Sequence, residues 1–259
     1  MHLIDGFANV SLAQLALVAA VALFASVIGG VAGYGTGALM PLVLVPMVGA
    51  EPVVPIIAIS ALFNNVSRVT AFLKYADWRR ALIVTIAASP TCVLGAWGYT
   101  HLTGKGAALV IGAMLILSVP LRRLLKHRDF QIGERGLTVG AVGYGVVVGG
   151  TAGSGVILLS LLMSSGVSGA AVVATDAAIS IVISIVKVSV FGFSGVLNAQ
   201  VVAFALLIGI VALPGAFLAR AFVERMPLHV HTAILDAVVI AGGATMIVAA
   251  FNSVTAISP

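Results

Sequence analysis

The chain has 259 residues, of which 61% are hydrophobic and only 8% charged, where a soluble domain carries about 25% charged residues. That excludes an ordinary water-soluble domain. The net charge of +5 is carried in loops, where it reads as a topology signal and not as a nucleic-acid surface. Cys92 is the only cysteine, so no intramolecular disulfide can form.

Read in order, the N-terminus MHLIDGFANV lacks a basic n-region, and no cleaved signal peptide is expected. An apolar segment, Leu12–Ile28, runs into GGVAGYGTG and continues as Ala38–Val48. Three apolar runs follow, Val54–Ala71, Ala81–Thr100 and Ala107–Leu121. A second glycine-rich break, GGTAGSG, lies between Leu137–Val148 and Val156–Met163. After it come Ala170–Val190, Ala199–Ala219 and Thr232–Phe251. The longer runs have the roughly 20 residues a helix needs to cross a hydrocarbon layer. They are too long and too uniformly apolar for alternating barrel strands. The expected fold is an all-α polytopic membrane protein.

Displacing the chain against itself by 120 residues superimposes Gly29, Gly30, Ala32, Gly33 and Gly35 on Gly149, Gly150, Ala152, Gly153 and Gly155. The same shift carries Ala58–Ser60 onto Ala178–Ser180, and Gly95 onto Gly215. The chain is therefore read as two homologous repeats, 1–130 and 131–259, forming one membrane domain. Ten of its thirteen Lys and Arg lie in three loops: Lys74, Arg79 and Arg80; Arg122, Arg123, Lys126, Arg128 and Arg135; Arg220 and Arg225. The positive-inside rule puts these loops in the cytoplasm and both termini in the periplasm. Corresponding loops then fall on opposite sides, so the repeats are expected to be inverted. Each would hold a re-entrant hairpin broken at its glycines, plus three spanning helices. Irregular backbone at membrane depth survives only when it is buried in protein or lines a wet cavity.

That argument makes the breaks the candidate binding site. A helix that starts at a break offers unpaired N–H groups and a positive dipole end, which suits an anion. Gly33, Tyr34, Gly35 and Thr36 from the first break, with Gly153, Ser154 and Gly155 from the second, are the candidates there, and Thr151 adds a hydroxyl. Close helix packing is the structural alternative for the glycines. On the neighbouring helices Ser60, Asn64 and Arg68 share one face, as do Asp176, Ser180, Ser184 and Lys187. Each half thus brings one cation, and intramembrane charge is a functional feature by default. The alternative for Arg68 and Lys187 is snorkelling to the headgroups. Asp176 and Asp236 are candidates for proton coupling, or else structural partners of a cation. Trp78, Trp97 and Tyr99 are expected as interfacial anchors, and His101, His229 and His231 as interfacial residues. No His, Cys, Asp or Glu set has metal-ligand spacing, no nucleophile–base pair is visible, and no cofactor is expected, so the chain does not read as an enzyme.

The glycine-rich break near the N-terminus, the proline and "AIS…N…R" helix after it, the basic turn YADWRR (Tyr75–Arg80) and the second glycine-rich copy resemble the sulfite exporter TauE/SafE family. The resemblance runs over nearly the whole chain. It implies a bacterial inner-membrane transporter that exports sulfite or a small organosulfonate. An anion channel is the alternative, since it would use the same cations and helix ends but needs a continuous wet path. The partners expected are a small anion and the lipid bilayer, not nucleic acid. The sequence leaves monomer and homodimer open.

Overall fold

The computed structural model describes residues 3–8, 10–32, 35–127, 131–223, 240, 244, 247 and 248. Most of these residues are helical, with no strand among them. A 3-10 turn, Leu3–Phe7, leads into α1 (Leu12–Ala32), α2 (Thr36–Val48) and α3 (Val53–Phe72). A second turn, Leu73–Tyr75, leads into α4 (Trp78–Thr100) and α5 (Gly104–His127). Then follow α6 (Glu134–Gly150), α7 (Gly155–Ser164), α8 (Ala170–Phe193), α9 (Ala199–Ala212) and α10 (Gly215–Val223). Leu12–Gly30, Val53–Tyr75, Trp78–Thr100, Ala170–Phe193 and Ala199–Ala219 are long and apolar enough to cross a membrane. The chain is a multi-pass membrane protein.

The helix starts follow elementary capping chemistry. Asp77 accepts from the Arg80 backbone N–H at the start of α4, and Asn198 accepts from Val201 N–H at the start of α9. Partial burial raises the Asp77 carboxyl. Hydrogen bonds from the Arg80 backbone and side chain, with the Arg80 charge, outweigh that and hold it below its ordinary value. The apolar run Ala199–Ala219 is interrupted. α9 ends at Ala212 because Pro214 cannot donate to the ladder, and the hydroxyl of Ser67 donates to the carbonyl of Leu213.

Contacts define two ends of the bundle. At one, the Tyr99 hydroxyl donates to the carbonyls of Ala50 (2.8 Å) and Glu51 (3.2 Å). Its ring packs edge-on to Phe191 with centroids 6.1 Å apart. The 3-10 turn before α1 lies at the same end, with Gly6 against Ala199 and Ala203. At the other end, Asp77 N–H donates to Thr175 Oγ1 (2.9 Å), Arg80 Nη2 donates to Ser165 O (2.7 Å), and Arg79 pairs with Glu134 at 2.8 Å. Ile132 N–H meets Ser164 O at 2.8 Å. The α1–α2 hairpin therefore begins and finishes at the Tyr99 end, and the α6–α7 hairpin begins and finishes at the Asp77 end. Their tips meet: a Cβ added at Gly37 would lie 3.1 Å from Gly153 N.

Neighbours are also exchanged in a regular way. α3 packs along α8 at the centre; α4 packs on α6 and α8, while α9 packs on α1 and α3. α10 joins α9 against α1 and α3. Gly95 of α4 lies against the backbone of Val146 and Gly150, and Gly215, 120 positions on, lies against Ser26, whose own counterpart is Val146. Gly30 meets Ala219, Ala216 and Gly215 in turn. These crossings bring backbones close enough that a side chain does not fit.

Two expectations need correcting. Gly29, Gly30, Gly149 and Gly150 are not part of the breaks. They are the last helical turns of α1 and α6, and Gly30, Gly149 and Gly150 are needed for close crossings: Gly149 faces the backbone of Cys92 and Ala96. The arms are longer than expected, with 21 residues in α1, which runs on through its glycines, and 17 in α6, which gains Gly149 and Gly150 and also starts earlier, at Glu134. Tyr99 is not an interfacial anchor; it is 4% exposed and tied to the α2–α3 loop. Trp78 and Trp97 are 57% exposed, as anchors would be, and His101 lies edge-on to Trp97 with ring centroids 4.6 Å apart.

Candidate functional site: a polar cavity between the two hairpin tips

Where the tips meet the central helix pair lies a cavity of about 110 Å³. A water-sized position takes roughly 10–15 Å³, so this has room for a small ion with part of its hydration shell. Both breaks contribute to its wall. From the first come Gly35, Thr36 and Gly37, and from the second Thr151, Ala152, Gly153, Ser154 and Gly155. α3 supplies Asn64, Asn65 and Arg68, α6 supplies Tyr144, and α8 supplies Asp176, Ser180, Ser184 and Lys187.

The local reasons are simple. α2 starts after Gly35 and α7 after Ser154, neither capped by a side chain. The first N–H groups of a helix have no intrahelical acceptor, so both starts present donors at the cavity wall. Gly153 has φ +83° and takes the chain out of one helix and into the next, in a region that strains residues with a Cβ. Gly35 is fixed by approach, because its Cβ would run into the Ala25 carbonyl of α1.

The cations are held differently. Arg68, 3% exposed, donates from Nη1 to Asn65 Oδ1 (3.0 Å) and from Nη2 to Asp176 Oδ2 (2.8 Å), with Val173 O at 3.4 Å. It is a buried ion pair between α3 and α8, one partner from each half. Lys187, 5% exposed, donates to Val148 O (2.7 Å) and Thr151 O (3.1 Å). It thereby satisfies carbonyls at the C-terminal end of α6, where orphan acceptors and negative dipole charge gather. An ammonium has three donors, and two are used. Both cations turn into the protein, so snorkelling does not occur.

Three buried polar atoms have no partner among the described residues: Arg68 Nε, Asp176 Oδ1 and Asn64 Oδ1. All three belong to residues that line the cavity. An unmade buried hydrogen bond costs about 1–3 kcal/mol, so unspent hydrogen-bonding capacity gathers at the cavity.

Of the residues expected from the sequence, Gly35, Thr36, Asn64, Arg68, Gly153, Ser154, Gly155, Asp176, Ser180, Ser184 and Lys187 come together here. Ser60 does not line the cavity; it is buried and returns its hydroxyl to Ile57 O. Gly33, Tyr34 and Asp236 lie outside the described residues, as do His229 and His231. Two contributors went unread in the sequence. Asn65 sits three residues before Arg68, which is a helical contact spacing. Tyr144 is a buried aromatic hydroxyl inside an otherwise apolar arm, flanked by Gly143 and Gly145.

A helical membrane protein with a polar-lined cavity at two broken helices has the build of a secondary transporter. The sequence profile described as Sulfite exporter TauE/SafE matches residues 18–246. The chain belongs to the TauE/SafE family, a family of anion-exporting transporters and not of enzymes. No curated protein and no solved structure matches it.

Proposed function

We propose that the chain is a secondary transporter that moves a small sulfur-containing anion, sulfite or an organosulfonate such as sulfoacetate, out across the bacterial inner membrane. The anion sits between the hairpin tips, met by the starts of α2 and α7, by Arg68 and by Lys187. Thr36, Ser154, Ser180, Ser184 and Asn64 orient it. The observation that carries this reading is the cavity itself, where two uncapped helix starts and two buried cations converge. A charge inside a membrane span is costly, and with Asp176 offsetting one of the two cations the positive balance left at the cavity supports a negative guest.

The two hairpins enter from opposite ends of the bundle, and helix neighbours are exchanged between the halves; both support inverted repeats and alternating access. Export is read as driven by the proton gradient, with Asp176 or Asp236 as the proton carrier. Lys74, Arg79, Arg80 and Arg135 lie at or beside the Asp77 end, which supports a cytoplasmic assignment for that end. Periplasmic termini remain part of the proposal and fall largely on residues outside those described.

The decisive experiment is transport by the purified full chain in proteoliposomes. The carrier reading expects sulfite or sulfonate efflux that saturates with concentration and rises with an imposed proton gradient. Flux that stays linear in concentration and ignores the gradient would establish the channel. Sidedness is checked in a Cys92→Ala background: cysteines at Gly104 and Gly195 should label from the periplasm, and one at Lys126 only from the cytoplasm.

A further inference from the structure

The cavity carries an unusual charge balance for an anion site. Its charged lining residues, among those described, are Arg68, Lys187 and Asp176, two positive and one negative. The helix ends do not alter that sum. At each break one helix finishes and another begins, α1 before α2 and α6 before α7, so a partial negative end stands beside each partial positive one. The site has a net charge of one.

The carboxylate is also placed to be felt. Asp176 Oδ2 occupies Arg68 Nη2, while Oδ1 is a buried acceptor with no partner. An anion that reaches the free Nε of Arg68 lies within the same guanidinium group that Asp176 already holds. A first negative charge on the guest is balanced by Lys187 and the spare donors of Arg68. A second one is opposed by Asp176 at close range in a poorly solvated cavity, where charge–charge effects are several times those in water. The unpartnered Oδ1 also favours a guest, or a water on the guest, that can donate to it.

We infer that Asp176 sets the valence of the substrate, so that the cavity selects singly charged sulfur oxyanions, hydrogensulfite and monosulfonates, over doubly charged ones such as sulfate, sulfite dianion or fully ionised sulfoacetate. This rests on the anion-site reading above and narrows its substrate class: sulfoacetate, doubly charged at neutral pH because its carboxyl is ionised there, drops out, and hydrogensulfite and monosulfonates stay. Asp176 acts by repulsion and by occupying part of Arg68, a specificity device built from a charge that disfavours the wrong guest.

The test uses two tetrahedral sulfur oxyanions that keep fixed charges at neutral pH: methanesulfonate, with one, and sulfate, with two. Binding of each to the purified full chain is measured by calorimetry at constant ionic strength. Wild type should bind methanesulfonate more tightly than sulfate by about tenfold or more, a preference within reach of one close like charge. Asp176→Asn removes the opposing charge and should bring sulfate to equal or tighter binding. Asp176→Glu keeps the charge and should keep the wild-type order. If Asp176→Asn does not fold, as judged by size exclusion, the wild-type ratio and Asp176→Glu still decide. Equal binding of the two anions by wild type, or an unchanged ratio in folded Asp176→Asn, overturns the valence role and leaves the anion site standing. If neither anion binds wild type or variants, the anion-site reading fails and this inference falls with it.

Discussion

Arg68 and Lys187 come from opposite halves of the chain and reach the same cavity, yet they are restrained in different ways. Arg68 is tied to a carboxylate from the other half, Asp176, at 2.8 Å. Lys187 is tied, among the described residues, to backbone carbonyls at the end of α6. The first cation is neutralised by side-chain chemistry and joins the two halves across α3 and α8. The second keeps its full charge and fastens a hairpin arm within its own half. The two positive residues, one residue out of register under the 120-residue shift, are thus held differently: one joins α3 to α8, and the other, on the proposed reading, supplies the charge that a guest would meet.

The largest effect should come from breaking the buried pair on one side. Arg68→Ala leaves Asp176 charged and unpartnered in the interior, a situation that costs about 3–5 kcal/mol. Denaturant or thermal unfolding in detergent should show a loss on that scale. Replacing both partners, Arg68→Met with Asp176→Leu, should recover most of that stability, since apolar substitution of a whole buried pair is often neutral or better. Anion binding should stay weak in the double variant. Binding as tight as wild type would mean that Lys187 and the helix starts make the site alone. Arg68→Lys should restore binding only in part, because an ammonium cannot hold two oxygens as a guanidinium does.

The other cation should be less costly to stability and as damaging to function. Lys187→Met takes the buried charge away together with its two bonds to the α6 end, so no ion is stranded in the interior and a loss of about 1–3 kcal/mol is expected. Calorimetry should show anion binding lost while size exclusion stays normal. Retained binding would invert the comparison and make Arg68 the main anion ligand.

The packing glycines test whether the halves are equivalent in structure even where their cations are not. Gly95→Ala and Gly215→Ala each push a methyl into a facing helix, at Val146 and at Ser26 respectively. Overpacking of this kind costs about 1–3 kcal/mol, and similar losses in thermal unfolding are expected at both positions. A loss at Gly95 with none at Gly215 would show that the two crossings do not do the same job.

The smallest effect concerns the Asp77 end. Asp77→Ala removes a helix cap, worth about 1 kcal/mol at neutral pH. The Asp77 carboxyl is held below its ordinary 3.8, so its contribution is present above that pH and is lost as pH falls through the lowered value. The stability gap between wild type and variant should therefore narrow in acid. A gap that widened on acidification would contradict this assignment.

Much of this protein was legible without coordinates. The low charge and the 20-residue apolar runs forced a helical membrane fold, because lipid leaves backbone groups no partner outside a helix or a closed barrel. The spacing of Ser60, Asn64 and Arg68, and of Asp176, Ser180, Ser184 and Lys187, put each set on one helix face, since helical period is a local property. Which member of a face meets a cavity is not local. Ser60 shares the stripe of Asn64 and Arg68, yet it turns back to Ile57 O. Gly29, Gly30, Gly149 and Gly150 look the same in sequence as the glycines of the breaks. Only the partner helix that Gly30, Gly149 and Gly150 meet makes them packing glycines, while Gly29 has room for a side chain and borders the cavity, because steric need is defined by the neighbour. The pairing of Arg68 with Asp176 spans 108 residues, and no spacing rule reaches that far. Sequence determined the helices, their faces and the presence of buried charge. The tertiary structure alone decided which charge cancels which, because that depends on distances of a few ångströms between segments remote in the chain.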